Sequence, residues 1–138
     1  MAESRSKVLL VEDSKFLRVV NGRALSRAGY DVSTAADGEE ALRVANDKLP
    51  DIILLDMLLP KLSGPDVLKA LKNNPATKAI PVIVLSSLSQ KNKENLKEMG
   101  AVEYLEKGSL DLEKHPDRLA TAVEMVLGRC RQQRQGGT

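Results

Sequence analysis

The sequence has no tryptophan, one phenylalanine and two tyrosines, so aromatic residues make up only 2% of its 138 residues. Because 42% of the residues are hydrophobic, we expect one domain with an interior filled by aliphatic side chains. A single cysteine, Cys130, excludes an internal disulfide and fits a reducing compartment, for which we expect the cytoplasm. One cysteine and one histidine are also too few for a zinc site built from these ligands.

Long apolar runs are missing too, and the first run, Val8–Val11, is too short for a signal peptide or a membrane span. We therefore expect no membrane partner. The net charge of +2 comes from a short tail, because its three arginines leave 18 basic side chains against 19 acidic ones elsewhere. Such a balance does not indicate direct nucleic-acid binding. We expect a domain over residues 1–128, and a disordered tail or truncated linker over residues 129–138.

Short apolar segments alternate with amphipathic ones along the whole chain. Five segments are typical of strands: Lys7–Val11, Tyr30–Ala35, Asp51–Leu55, Ile80–Leu85 and Val102–Glu106. Five have helical spacing: Ser14–Ala28, Asp37–Asp47, Pro65–Asn74, Gln90–Met99 and Pro116–Leu127. Strict alternation of this kind predicts an α/β fold, a five-stranded parallel sheet with helices on both faces.

Charged or reactive side chains follow four of the five predicted strands. Glu12 and Asp13 follow the first, Asp56 ends the stretch "DIILLD", Ser86 follows the fourth and Lys107 the fifth. Because ligands of open parallel sheets bind at the carboxyl ends of the strands, we expect these side chains to meet at one edge. Taken singly, each has an ordinary explanation, such as a helix cap, a turn or a surface lysine.

The chemistry of such a group is specific. Converging carboxylates repel one another, and a hard divalent cation such as Mg²⁺ resolves that repulsion with oxygen ligands. Asp56 could then attack phosphorus and form an acyl phosphate. Lys107 and Ser86 could stabilise the phosphoryl oxygens.

Four motifs, "VLLVED", "LLDMLLPKLSG", "IPVIVLSS" and "YLEKG", resemble the receiver domain of two-component response regulators, over about Lys7–Leu127. The resemblance is to the single-domain form found among chemotaxis regulators. It implies a flavodoxin-like, doubly wound sheet with strand order 2-1-3-4-5. It also implies phosphoryl transfer to Asp56 from a histidine kinase or a histidine phosphotransfer protein.

The same resemblance implies roles for individual residues. Mg²⁺ would be held by Glu12, Asp13, Asp56 and the backbone carbonyl of Leu58, while Ser86, Lys107 and Tyr104 would respond to the phosphoryl group. Leu58 and Leu88 would flank the water that removes phosphate, and two apolar side chains there predict slow loss. An unknown target would bind a face made of the polar helix Gln90–Met99, the fifth strand and the last helix.

The match to the family has one departure. Gly108 follows Lys107 where family members usually have proline, and the connection "GSLDLEKH" is longer than usual. Glycine does not favour a cis peptide bond, so the geometry of this loop is not implied by the resemblance.

Three other functions compete with this interpretation. A Mg²⁺-dependent aspartyl-phosphate hydrolase would use a second acid two residues after its nucleophile, where this chain has Leu58. A nucleotide or flavin binder would need a phosphate loop, whereas "VEDSKF" offers carboxylates that repel phosphate. A phosphorylation-independent adaptor would not need the full set of acids with Ser86 and Lys107.

Overall fold

The computed structural model describes residues 5–86, 97–107 and 114–136, of which residues 131–136 are described by their backbone alone. The strands are β1 (Lys7–Val11), β2 (Asp31–Ala35), β3 (Ile52–Asp56), β4 (Val82–Ser86) and β5 (Glu103–Glu106). The helices are α1 (Lys15–Arg27), α2 (Gly38–Lys48), α3 (Gly64–Asn73) and the C-terminal helix (Asp117–Gly136). The predicted helix Gln90–Met99 lies mostly outside the described residues, and Leu88 and Gly108 lie wholly outside them.

The five strands form one parallel sheet in the order β2-β1-β3-β4-β5, which confirms the predicted fold class and strand order. β3 and β4 lie inside the sheet, and all five residues of each are buried. This position accounts for their nearly uninterrupted apolar sequences, because a strand covered on both faces has no solvent-facing side.

The core lies on both faces of the sheet. Along β1, Leu9 and Val11 face one cluster while Val8 and Leu10 face the other, as the alternation of a strand requires. The first cluster includes side chains of α2 and α3, and the second includes side chains of α1 and the C-terminal helix. Aliphatic side chains dominate both, as the composition predicts, and Tyr104 is the one aromatic residue among the described buried hydrophobics.

Three helices that follow strands begin with a capping side chain. The caps are Ser14, Asp37 and Ser63, and each accepts a hydrogen bond from the backbone N–H three residues later. A cap of this kind is worth about 0.5–2 kcal/mol, so it defines where the chain turns from strand end to helix. The residues between strand and helix are thereby held near the carboxyl edge of the sheet.

Helix boundaries differ from prediction chiefly at the C-terminus. The last helix runs to Gly136, past the predicted end at Leu127. Gly128 does not have the positive φ of a helix-ending glycine, and it is followed by arginine and glutamine residues, which favour helix. Within the described parts of the chain, no helix combines the length and the apolar character that crossing a bilayer requires. The domain division at residue 128 stays a prediction.

Two glycines bring the loop after β3 close to its neighbours. A Cβ on Gly64 would lie 2.5 Å from the Cα of Met57 and 2.7 Å from the carbonyl oxygen of Asp56. On Gly38 it would lie 2.4 Å from the Cβ of Leu62. Side chains at these positions would push the loop away from α2 and from the end of β3. The loop therefore depends on glycine for close packing.

We predict that Gly64→Ala destabilises the fold by about 1–3 kcal/mol, because the methyl group meets backbone atoms that cannot rotate away. Gly22→Ala is the matched control, since the nearest atom to its Cβ would be 4.0 Å away. That control lies inside α1 and should gain about 1 kcal/mol from helix propensity. Urea unfolding measures both variants. A Gly64→Ala variant as stable as the wild type would contradict the close-packing argument.

Candidate functional site

The predicted site residues lie at one end of the sheet. Glu12 directly follows β1, Asp56 and Ser86 are the last residues of β3 and β4, and Lys107 directly follows β5. Because all strands are parallel, their carboxyl ends meet at the same edge. The fold alone therefore brings together residues that are up to 95 positions apart in sequence.

Three carboxylates are clustered at this edge. One oxygen each from Glu12, Asp13 and Asp56 lies within 4.8 Å of the others. Glu12 and Asp56 are only 2% and 3% exposed, whereas Asp13 is exposed to solvent. The cluster thus has two carboxylates in the protein interior and one at its opening.

The ammonium group of Lys107 joins the two buried carboxylates. Its Nζ lies 2.7 Å from Oε1 of Glu12 and 2.8 Å from Oδ2 of Asp56, and donates a hydrogen bond to each. Both contacts are ion pairs with short, charge-assisted geometry. Lys107 therefore connects the end of β5 to the ends of β1 and β3.

Backbone amides hold the other oxygen of each buried carboxylate. The N–H of Ser14 donates to Oε2 of Glu12, and the N–H of Leu58 donates to Oδ1 of Asp56, each at 3.1 Å. Each carboxylate thus has one oxygen on Lys107 and one on the backbone. This arrangement fixes the plane of the Asp56 carboxylate relative to its neighbours.

The pKa values of Glu12 and Lys107 are both raised, although for different reasons. Burial raises the pKa of Glu12 above its ordinary value, and the nearby charge of Asp56 adds to this, while the hydrogen bond from Lys107 opposes it. Burial alone would lower the pKa of Lys107, but its hydrogen bonds to Asp56 and Glu12 outweigh that effect and raise it. Lys107 is therefore held in its charged form.

The donor set suits a hard cation. It consists of carboxylate oxygens, with one member exposed and accessible from solvent, and such ligands are typical of Mg²⁺ or Ca²⁺ rather than of soft metals. The single positive charge of Lys107 only partly neutralises the three carboxylates, so the cluster keeps a net negative charge. Glu12, Asp13 and Asp56 could therefore hold a metal ion.

The remaining predicted residues take different positions. Ser86 is 1% exposed and ends β4, the strand between Asp56 and the fifth strand. Tyr104 is 5% exposed and packs in the core on one face of the sheet. Leu58 is 57% exposed at the start of the loop after β3. Leu88 lies outside the described residues, so its predicted position beside Leu58 stays a prediction.

One functional contact was not predicted from the sequence. Nη1 of Arg18 donates to the carbonyl oxygens of Glu12, at 2.9 Å, and Asp13, at 3.4 Å. Arg18 thus anchors the turn that presents two of the three carboxylates. The sequence offers one indication of this contact. Arg18 lies one helical turn after the cap Ser14, and therefore at the end of α1 that is nearest the site.

Comparison with known proteins gives one consistent family. The model of the response regulator receiver domain matches residues 8–123. The gliding motility regulatory protein of Myxococcus xanthus is 42% identical over 91% of this chain and 16% of its own length. Protein PilG of Pseudomonas aeruginosa is 40% identical over 73% of this chain and 76% of its own. The high-resolution structure of the chemotaxis response regulator CheY4 of Vibrio cholerae, 33% identical, superposes with a TM-score of 0.80 over 89% of this chain and 99% of that one.

Several relatives are much longer than the part they share with this chain. The chain spans 16% of the Myxococcus protein, and 42% of the alkaline phosphatase synthesis regulator PhoP of Bacillus subtilis. The similarity therefore concerns the receiver module, and the outputs of those longer proteins do not transfer with it.

We predict that Lys107→Ala destabilises the fold by about 3 kcal/mol, because it leaves two buried carboxylates without a cation. Asp56→Asn in the same chain removes one of those charges, so the double variant should be less destabilised than the sum of the two single effects. A double-mutant cycle in urea, at fixed ionic strength and without divalent cations, measures the coupling. Strictly additive effects would contradict the energetic role assigned to the bridge.

Proposed function

The chain belongs to the response regulator receiver domain family, a family of signalling domains in two-component systems, and we propose that Asp56 is its phosphoacceptor. Receiver domains interact with histidine kinases and with downstream targets. We propose that a histidine kinase or a histidine phosphotransfer protein supplies the phosphoryl group. The observation that supports this most directly is the buried Asp56 carboxylate, held by Lys107 and by the N–H of Leu58 beside two further acids.

The reaction proposed is a single displacement at phosphorus. A carboxylate oxygen of Asp56 attacks the phosphorus of the donor phosphohistidine and forms a P–O bond. The P–N bond breaks, and its electron pair stays on the imidazole nitrogen, which takes up a proton. Lys107, which donates to Asp56, would then donate to a phosphoryl oxygen, and Ser86 at the adjoining strand end is the second proposed donor.

Mg²⁺ is the cofactor proposed for this site. Glu12, Asp13 and Asp56 would hold it, together with the backbone carbonyl of Leu58. When bound, Mg²⁺ neutralises carboxylate and phosphoryl oxygens so that the two anions can approach each other. The chain itself would set the direction of attack, because the backbone N–H of Leu58 holds one Asp56 oxygen and the ammonium group of Lys107 holds the other.

The proposed consequence of phosphorylation is a population shift. A phosphoryl group on Asp56 competes with the present partners of Lys107 and attracts Ser86, so contacts at the ends of β4 and β5 change. Tyr104 lies in β5 and is buried in the core, close in sequence to Lys107. We therefore propose that the face formed by the predicted helix Gln90–Met99, β5 and the C-terminal helix binds the downstream target.

We predict that incubation with a small acyl phosphate and Mg²⁺ adds one phosphoryl group to the wild type and none to Asp56→Asn. Asp51→Asn is the matched control, because Asp51 is an exposed carboxylate at the opposite end of the same strand. Intact-mass measurement gives the stoichiometry, and a chelator should abolish the uptake. Labelling of Asp56→Asn equal to that of the wild type would refute the assignment. Continuous release of inorganic phosphate in large excess over protein would favour the hydrolase instead.

We also predict a long-lived phosphoryl group. Leu58 offers no hydrogen bond to an attacking water, and its side chain is 57% exposed at the site's edge. Leu58→Asn combined with Leu88→Glu should speed phosphate loss by about tenfold or more, which is about 1.4 kcal/mol of barrier.

Decay of the phosphorylated protein after removal of the donor measures this rate. Leu49→Asn is the control, because it makes the same change at a leucine of similar exposure, 51% against 57%, at the end of α2. Unchanged decay in the double variant, or loss of the wild-type phosphate within seconds, would show that the leucines do not shield the site.

A further inference from the structure

A groove with a volume of about 670 Å³ runs along the outer edge of the sheet between α1 and β2. Arg18, Arg23 and Arg27 line it, and none of the described residues that line it is acidic. Its other lining residues are apolar or small: Val19, Gly22 and Ser26 from α1, and Val32 and Thr34 from β2. The groove is therefore positively charged on one wall and uncharged on its floor.

The charge of this wall is not neutralised by the helix itself. α1 contains four basic residues and no acidic one. Arg18 donates to the backbone carbonyls at the functional site, as described above. Arg23 and Arg27 are exposed, and within the described part of the chain neither guanidinium makes a hydrogen bond or an ion pair. Two guanidinium groups are thus available for a carboxylate ligand, which Arg binds in bidentate geometry.

The floor of the groove includes an open strand edge. β2 is the terminal strand of the sheet, and in the described residues only β1 pairs with it. The N–H of Asp31 donates to the carbonyl of Ser6, and the carbonyl of Ala35 accepts from the N–H of Glu12, so these residues direct their backbone towards β1. Successive residues of a strand direct their backbone groups to opposite sides, so Val32 and Thr34 direct their N–H and C=O groups away from β1.

The same two residues therefore line the groove with their side chains and present backbone donors and acceptors along its edge. Natural edge strands are often blocked by proline or lysine, but β2 has neither. The spacing of Val32 and Thr34 matches alternate residues of a second extended chain. Side chains of that chain on the α1 side of the sheet would face Arg23 and Arg27.

We propose that this groove binds an extended acidic segment of a partner protein, which adds to β2 as a sixth strand. Backbone hydrogen bonds to Val32 and Thr34 give the register, and carboxylates at alternate positions pair with Arg23 and Arg27. A nucleic acid or a lipid headgroup would use the arginines but would leave the strand edge unpaired. The proposal is separate from phosphorylation and does not depend on Asp56 being the phosphoacceptor.

The test uses the full chain and a fluorescein-labelled eight-residue peptide that alternates glutamate with valine. We expect saturable binding by fluorescence anisotropy at moderate salt. The double variant Arg23→Glu with Arg27→Glu should weaken it by at least tenfold, whereas Arg43→Glu, at an arginine that is also exposed but lies on α2, should not change it. A peptide with lysine in place of glutamate should not bind.

A second probe isolates the strand contribution. It is the same acidic peptide with N-methyl groups on alternate backbone nitrogens, in two versions, one for each edge of the peptide. The version methylated on the edge that faces β2 should lose binding, and the other should keep it. Equal binding by both versions would show charge attraction without strand addition and overturn the proposal. The proposal is also overturned if the double variant Arg23→Glu with Arg27→Glu binds the peptide as tightly as the wild type does. It is overturned as well if a single-stranded oligonucleotide or phosphatidylglycerol vesicles bind more tightly than the peptide and displace it.

Discussion

The ion bridge from Lys107 to Glu12 and Asp56 is the interaction on which the functional edge of this domain depends. Two nearly fully buried carboxylates lie close enough to share one ammonium group. Without a cation, their mutual repulsion and desolvation would favour protonation or opening of the edge. With Lys107 between them, the two acids remain in place beside the exposed Asp13, and the cluster keeps a net negative charge that a metal ion could neutralise.

The ion bridge also shows how residues from the ends of several strands form one site. Lys107 follows β5, yet its partners end β3 and follow β1, so its side chain has to pass the end of β4, where Ser86 lies. Lys107 thus links Asp56 to the end of β5, across the end of β4. The buried, apolar strands give this edge a rigid base, since a packed core transmits small displacements and does not absorb them.

Much of this architecture could be predicted from the sequence, because its signals are local. Uninterrupted apolar segments identify β3 and β4, and the alternation of elements leads to a parallel sheet whose strand ends meet. Other features are not local. Arg18 binds backbone carbonyls that no side-chain pattern reveals. Asn21 occupies a buried position of α1, although its type suggests solvent exposure, and none of the described residues donates a hydrogen bond to its Oδ1. The extension of the C-terminal helix past Gly128 depends on that glycine keeping a helical conformation, which composition alone does not decide.

Arg18 belongs both to the acidic site and to the basic groove, and this shared membership has a physical consequence. Its guanidinium supports the turn that presents Glu12 and Asp13, and the same side chain lines the groove at the end of α1 nearest the site. A carboxylate that engaged Arg18 would compete with those carbonyls and so alter the turn, and by reciprocity a cation at the acidic cluster would alter the groove. Among the described residues, Arg23 and Arg27 make no contact with that turn, so an occupant confined to them would leave the acidic site unchanged. The positions of the arginines along α1 therefore distinguish two modes of binding in the groove. A ligand that contacts Arg18 would be coupled to the acidic site, and a ligand that contacts only Arg23 and Arg27 would not.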